Sequence, residues 1–132
     1  MNLDGIINIA GWKGLYKVIS RNKNHIIVES LTNKKRTPLY SHNQANMLEE
    51  IGIYTYDDTI PLIEIFNKIA NKENCEQCIN HKSPTNDLIT YFREILEDYD
   101  EDRVYISDIK KVVQWYNLLQ SIGLIEIKKD TK

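Results

Sequence analysis

The hydrophobic pattern of the chain changes near residue 58, and this change limits the folds open to it. Before that point, apolar residues come in short β-branched and aromatic runs separated by polar turns, which is typical of strands. After it, Leu62, Ile65, Phe66 and Ile69 recur at helical spacing. The pattern predicts an α+β fold, in which a small SH3-like or curled antiparallel β-barrel precedes a three-helix α subdomain.

The same change sets the expected domain organisation. We place a small antiparallel β domain at residues 1–58, a three-helix subdomain at residues 59–124 and a C-terminal tail at residues 125–132. The chain has 132 residues, of which 42% are hydrophobic. This size suits one domain or two very small ones that share a core.

In the β half, Pro38 places its strand at a sheet edge or bulge, because proline cannot donate to the ladder. Apolar residues of segment 3–10 have helical spacing, which predicts a short helix or turn there. A single helical turn is expected within residues 42–50. The strands are predicted at residues 15–20, 25–31, 36–41 and 51–56.

Helix boundaries are predicted from capping chemistry. Pro61 lies in the first turn of the first helix, and Pro84 follows the residue that starts the second. Ser107 is the expected N-cap of the third helix, and Gly123 its expected C-terminal stop. The LIEIK sequence after Gly123 predicts a short final strand.

The net charge of −2 hides a strong asymmetry. Residues 11–48 hold seven Lys/Arg and one acid, a net of +6, whereas residues 49–110 hold six basic and fifteen acidic residues, a net of −9. Two interpretations stay open: the halves attract each other, or each half presents its charge to a different partner.

The sequence predicts a cytoplasmic location. No apolar run is long enough to span a membrane, and the N-terminal residues show no signal peptide, so we expect no membrane association and reduced cysteines.

Basic and aromatic residues interleave in the β half, as they do in small barrels that bind RNA through phosphate contacts and base stacking. This interpretation expects Tyr16 and Tyr40 to share one exposed face with the cations. The alternative is that the aromatic residues belong to the core and the turn lysines maintain solubility. The candidate binding face consists of Trp12, Lys13, Tyr16, Lys17, Arg21, Lys23, Lys34, Lys35, Arg36 and Tyr40.

Two segments of the helical half resemble parts of metal sites. Cys75, Cys78 and His81 give three of the four ligands that zinc needs, and the distant His25 and His42 complete the set only if the fold brings one of them close. A pair of reduced loop cysteines is the alternative.

The acidic loop consists of Asp98, Asp100, Glu101, Asp102 and Arg103. Its aspartate spacing is similar to that of a calcium-binding EF-hand loop, but Arg103 replaces the glycine of the sharp turn and Ile109 replaces the closing glutamate. We therefore expect no calcium site, and expect Arg103 to bridge carboxylates.

No catalytic motif is present: the sequence has no glycine-rich phosphate loop, no G-x-S-x-G and no H-E-x-x-H. No cofactor and no small-molecule substrate are expected. We expect a non-enzymatic binding or adaptor module with a protein partner, and the alternative is an RNA- or ribosome-associated protein that binds through the basic β half. The adaptor interpretation expects an exposed apolar patch near Trp12 or Trp115.

Three segments carry a resemblance to a known family: GWKGLYKVISRNKNHIIVESLTNKKRTPLY, LEEIGIYTYDDTIPL and DYDEDRVYISDIKKVVQWYNLL. They resemble a domain of unknown function from Bacteroidetes-type bacteria. The resemblance implies an N-terminal β part joined to a C-terminal helical part, and it implies no activity, ligand or catalytic residue.

Overall fold

The computed structural model of the protein describes residues 3–40 and 42–125. It divides into two compact units, which we call the β unit, ending at Ile51, and the helical unit, beginning at Gly52. The α+β class is confirmed.

The β unit contains one antiparallel sheet with the strand order β4-β3-β2-β1-β5. Within the described residues, the edge strands β4 and β5 do not pair with each other, so the sheet is open and the predicted closed barrel is wrong. The strands are β1 (Ile6–Ile9), β2 (Tyr16–Arg21), β3 (His25–Ser30), β4 (Arg36–Tyr40) and β5 (Ala45–Met47).

Strand β1 corrects the expectation of a helix or turn in segment 3–10. Its isoleucines Ile6, Ile7 and Ile9 are all buried, and β-branched side chains favour a strand that is covered on both faces. Gly5 precedes the strand with a φ of +75°, which ends any helical continuation. Segment 42–50 forms β5 followed by a 3₁₀ turn at Leu48–Glu50, so the single helical turn is confirmed only at its end.

The hairpins from β2 to β4 are confirmed, and Pro38 lies in the edge strand as predicted. Side chains alternate between two faces of these strands. The core face carries Val28 and Leu39, which pack with Ile7 and Ile9 of β1. The opposite face, the outer face, carries the cross-strand pairs His25–Tyr40 and Glu29–Arg36.

The helical unit opens with a two-stranded sheet of β6 (Gly52–Tyr54) and β7 (Thr59–Pro61). The strand predicted at residues 51–56 is confirmed at Gly52–Tyr54, but its placement as the fourth strand of the β domain is wrong. Gly52 lies opposite Pro61, and a Cβ atom at Gly52 would come within 2.5 Å of the Thr59 side chain. The absence of a side chain at Gly52 therefore permits this close approach of β6 and β7.

Three helices complete the unit: α1 (Leu62–Glu73), α2 (Thr85–Ile95) and α3 (Ile106–Ser121). Their largest fully buried side chains are Tyr116, Phe66 and Phe92, which form its aromatic core.

The ends of α3 follow the predicted chemistry in part. The carboxylate of Asp108 accepts the backbone N–H of Tyr105 at 3.0 Å, so the N-cap is Tyr105 and the predicted Ser107 cap is wrong. Gly123 has a φ of +82°, and the N–H of Leu124 donates to the carbonyl of Leu119, which confirms the predicted glycine stop. The predicted final strand extends beyond residue 125, outside the described residues.

Candidate functional site

The strand register separates the two tyrosines of the predicted basic face. Tyr16 lies opposite Ser30, whereas Tyr40 lies opposite His25. Positions 30 and 25 of one regular strand point to opposite sides of a sheet. The expectation that Tyr16 and Tyr40 share one face is therefore wrong.

The tryptophans do not form the expected apolar patch. Trp12 is half-buried and contacts Tyr16 edge-on with ring centroids 5.3 Å apart, and both rings pack against the core of the β unit. Trp115 is only 7% exposed within the helical unit. Both indoles therefore serve packing.

The cations of the predicted face divide between the two ends of the sheet. Lys34 and Lys35 lie in the β3–β4 turn, and Lys13 precedes β2 at that same end. Arg21 and Lys23 lie at the other end, beside the β2–β3 turn. Between them, Lys17, Glu29 and Arg36 form a cross-strand row, in which Glu29 and Arg36 are 3.3 Å apart.

An exposed row of aromatic rings lies at the Arg21 end of the sheet. The rings of His25 and Tyr40 are 5.8 Å apart, and those of Tyr40 and His42 are 6.0 Å apart and nearly parallel, at 6°. We call these three residues the aromatic ladder. Tyr40 is 47% exposed and His42 is exposed, so ring surface remains open to solvent.

Backbone and amide contacts position the ladder. The N–H of Tyr40 donates to the Asn43 side chain at 2.9 Å, and the N–H of Asn43 donates back to the Tyr40 carbonyl at 3.0 Å. The side chain of Asn22 lies 3.2 Å from the His25 ring nitrogen. The ladder is therefore held by two local turns.

A cavity of about 430 Å³ opens beside the ladder. Its lining combines cations, amide side chains and one apolar patch. The lining includes Arg21, Asn22, Lys23, His25, Tyr40 and Asn43.

The acidic loop of the helical unit is held together internally. Asp100 is buried, and its carboxylate accepts the guanidinium of Arg103 at 2.8 Å and the N–H of Asp102 at 3.0 Å. The hydrogen bond from Arg103 holds the pKa of Asp100 below its usual range. Because its oxygens are engaged in this way, Asp100 organises the loop.

Besides pairing with the Asp100 carboxylate, Arg103 links the acidic loop to the end of strand β6. Its guanidinium carbon lies 4.3 Å from the ring centroid of Tyr54, and a guanidinium nitrogen lies 3.4 Å from the Thr55 carbonyl. Arg93 similarly pairs with Glu101 at 2.9 Å.

A second exposed aromatic surface, which we call the tyrosine ridge, consists of Tyr54 and Tyr56. These side chains are 43% and 59% exposed, and Thr55 between them is buried, so both rings lie on one side of an extended segment. The backbone of the segment is bonded to the acidic loop through Asp98 and Asp100. Sequence reasoning missed the ridge, although the out–in–out pattern of YTY was its signal.

The ridge adjoins an open groove of about 880 Å³. Arg93 and Asp98 line the groove, and the carbonyl of Asp98 accepts the N–H of Tyr56 at 3.2 Å. The exposed carboxylates in this region are Asp57, Asp58, Glu97, Asp98, Glu101 and Asp102.

The cysteine pair lies in the loop between α1 and α2. Cys78 is half-buried with its sulfur 3.7 Å from the Val113 carbonyl, and burial raises the pKa of its thiol to about 12. The described residues contain no group of three His, Cys, Asp or Glu side chains placed to hold a metal ion. A thiol with so high a pKa is a poor nucleophile at neutral pH.

Asn117 of α3 fixes the same loop and was missed by sequence reasoning. Its side-chain oxygen accepts the N–H of Cys78 at 2.7 Å, and its amide donates to the carbonyls of Cys78 and Ile79 at 3.3 and 3.2 Å. Its signal is an asparagine within a mostly apolar helix, where that residue type is unfavourable without a specific partner.

Two family models match the chain. One, for a domain of unknown function (DUF5606), matches residues 3–48, and the other, for a domain of unknown function (DUF6852), matches residues 51–119, more than half of the chain. The chain belongs to the DUF6852 family. The predicted family resemblance is thereby confirmed.

A solved structure supports the same assignment. The chain is similar to a protein from Bacteroides vulgatus whose solution NMR structure was determined by a structural-genomics consortium, with 43% sequence identity and a TM-score of 0.79. The similarity covers 96% of this chain and 91% of that one. No curated protein matches the chain. Among the described residues, no helix has the length and apolar character required to cross a membrane.

Proposed function

We propose that this protein is a non-enzymatic adaptor of the cytoplasm, whose helical unit binds a lysine- or arginine-rich segment of a partner protein. The observation that carries the proposal is the tyrosine ridge. Tyr54 and Tyr56 expose large ring surfaces on a segment whose backbone is already hydrogen-bonded, and carboxylates surround them.

The chemistry of the ridge suits a cationic partner. Tyrosine is enriched at the energetic centres of protein interfaces, and the face of its ring attracts lysine and arginine side chains. Arg103 already lies 4.3 Å from the Tyr54 ring, so the helical unit itself contains one such contact. Tyr56, the more exposed ring, offers a second position for a cation from a partner.

The surrounding charge favours the same partner. The carboxylates Asp57, Asp58 and Asp98 are exposed next to the ridge in sequence or through backbone hydrogen bonds. Complementary charge raises the association rate and disfavours acidic partners. Because Asp100 and Arg103 hold the loop in place, little ordering cost remains to be met on binding.

The proposal is tested by fluorescence anisotropy with a labelled 12-residue peptide of alternating Lys, Arg and Ser, against a peptide of the same length in which Glu replaces the cations. The Lys/Arg peptide is expected to bind and the Glu peptide not to bind. The double variant Tyr54→Ser/Tyr56→Ser is expected to lose at least tenfold in affinity, whereas Tyr54→Phe/Tyr56→Phe retains most of it.

The matched control is Tyr40→Ser, which removes a tyrosine of similar exposure from the β unit. Affinity capture from lysate, with and without nuclease, extends the test to natural partners. Equal binding by the ridge variant and the Tyr40 control, or loss of every captured protein after nuclease treatment, would overturn the adaptor proposal.

A further inference from the structure

The Arg21 end of the β unit brings together three kinds of group that a nucleic acid strand requires. The aromatic ladder offers exposed ring surface, the cations Arg21 and Lys23 line the adjoining cavity, and the amides of Asn22 and Asn43 lie beside them. Rings stack on bases, cations bind phosphates, and amides hydrogen-bond to base edges.

We propose that this end of the sheet binds single-stranded nucleic acid, with an unpaired base stacked on the ladder and the adjacent phosphates bound at the sheet end by Lys23 and Arg21. Arg21 lies opposite Ile26, on the face away from the ladder, and lines the shared cavity from that side. The site lies wholly within the β unit and involves no residue of the tyrosine ridge. The tests of this site and of the adaptor function are therefore independent of each other.

The geometry favours a single strand over a duplex. In a duplex the bases are stacked on one another, and only a strand with unpaired bases can present a base face to Tyr40 or His42. The cavity of about 430 Å³ is near the lower end of the range for small-ligand pockets, about 300–1,000 Å³, which suits one nucleotide unit.

The register explains why Tyr40 is available for stacking. The N–H of Ser30 donates to the carbonyl of Lys35, so these two residues form a hydrogen-bonded pair. Hydrogen-bonded and non-hydrogen-bonded pairs alternate along an antiparallel ladder, and by this alternation His25 and Tyr40 form a non-hydrogen-bonded pair. Side chains approach closely at such pairs, which brings the His25 ring against Tyr40. The tyrosine ring contacts the rings of both His25 and His42, and Tyr40 remains half-exposed.

The number of cations predicts the salt dependence. For single strands the slope of log K against log salt concentration is about −0.7 per neutralised phosphate. Two phosphate contacts, one each to Arg21 and Lys23, give an expected slope of about −1.4. Either single substitution to alanine is expected to reduce the magnitude of the slope by about 0.7.

The experiment measures the binding of fluorescein-labelled oligo(U) 12-mer to the whole chain by anisotropy, from low to physiological salt. Replacing Tyr40 by alanine is expected to weaken binding about five- to 150-fold, which is the range for one lost base–aromatic stack. Tyr40→Phe keeps the ring and is expected to bind within about threefold of the native chain, because stacking does not need the hydroxyl.

The charge-matched control is Lys13→Ala/Lys35→Ala, which removes two cations from the opposite end of the sheet. This double variant is expected to leave the slope near −1.4, whereas Arg21→Ala/Lys23→Ala brings it near zero. The proposal is overturned if oligo(U) does not bind at low salt, if Tyr40→Ala binds as well as the native chain, or if both double variants reduce the slope equally.

Two further arms identify the nucleic acid. A dU 12-mer of the same sequence tests whether the 2′-hydroxyl contributes, and the proposal expects it to bind within about tenfold, since stacking and phosphate contacts are common to RNA and DNA. A blunt RNA duplex is expected to bind at least tenfold more weakly. Tighter binding of the duplex would overturn the stacking site.

Discussion

The two units differ in where they hold their polar side chains. In the helical unit, polar groups point inward and bond to backbone carbonyls: Asn117 holds the loop between α1 and α2, and the hydroxyl of the fully buried Tyr116 donates to the Glu76 carbonyl at 2.8 Å. In the β unit, polar contacts such as Glu29–Arg36 and Asn22–His25 lie at the surface.

The difference follows from how each kind of structure satisfies its backbone. Strands bond to neighbouring strands, so a sheet needs few side chains for this purpose. Helices leave the connecting loops without such neighbours, and buried loop carbonyls and N–H groups then need side-chain partners. The comparison teaches that Asn117 and Tyr116 of the helical unit are committed to holding its loop, whereas Asn22, His25, Glu29 and Arg36 of the β unit lie at the surface.

The largest expected effect concerns the half-buried thiol of Cys78. With the pKa of Cys78 raised to about 12 by burial, its thiolate fraction at pH 8 is roughly a thousandfold below that of an ordinary cysteine. Reaction with N-ethylmaleimide at pH 8, followed by mass spectrometry of a Cys75→Ser variant, is expected to modify Cys78 at least about tenfold more slowly in the folded chain than in urea, because the higher nucleophilicity of a high-pKa thiolate offsets only part of the difference.

The same pKa gives the sign of a pH effect. The thiol is protonated in the folded state to a higher pH than in the unfolded state, so the unfolded chain loses its proton first as pH rises above the ordinary value of 9.0. The contribution of this thiol to the free energy of unfolding is fully present below pH 9 and is lost as the pH rises toward 12. Equal alkylation rates in the folded and unfolded chain would show that the thiol is not enclosed, and the comparison between the units would fail there.

A smaller effect is expected at Asn117. Replacement by alanine removes three hydrogen bonds to loop backbone and leaves buried polar groups unpaired, which is expected to cost about 2–3 kcal/mol of unfolding free energy. Urea denaturation followed by tryptophan fluorescence measures the change. Gln114→Ala, an exposed substitution in the same helix, is the control and is expected to change stability by less than about 0.5 kcal/mol. A similar loss in both variants would show that the hydrogen bonds of Asn117 are not the cause, because alanine has a higher helix propensity than either residue it replaces.

The smallest effect is expected in the β unit. Arg36 is largely exposed, so its pair with Glu29 is screened by solvent, and Arg36→Ala is expected to cost less than about 1 kcal/mol. A double-mutant cycle with Glu29→Ala isolates the coupling free energy of the pair. A coupling as large as the loss at Asn117 would erase the distinction between the two units.

The sequence predicted the helices well because each carries its own signal. Leu62, Ile65, Phe66 and Ile69 of α1 form one buried face, as their spacing indicated. Gly123 ends α3 because it adopts a positive φ, which glycine tolerates, as the sequence predicted. Strand β1 was missed because its three isoleucines are buried on both faces, and a continuous apolar run carries no strand periodicity.

Pairing partners were harder to predict than elements. The IGIYTY segment has the composition of a strand, but its sequence does not indicate whether it pairs with the β unit or with β7, as the structure shows. The candidate site was limited in the same way, because its residues could be named from the sequence but their neighbours could not. Tyr40 and the acidic loop were named, but whether Tyr16 shares a face with Tyr40 depends on register, and the contributions of His42 and Tyr56 depend on exposure.

The edge strand β4 has a consequence for the kind of partner that the β unit accepts. The bond from Ser30 to Lys35 sets a register in which positions 36, 38 and 40 direct their backbone groups away from β3. Pro38 has no N–H to offer there, and the N–H of Tyr40 is already taken by Asn43. An incoming peptide therefore finds two of three donors missing along this edge, which disfavours β-augmentation and protects the sheet against edge-to-edge aggregation.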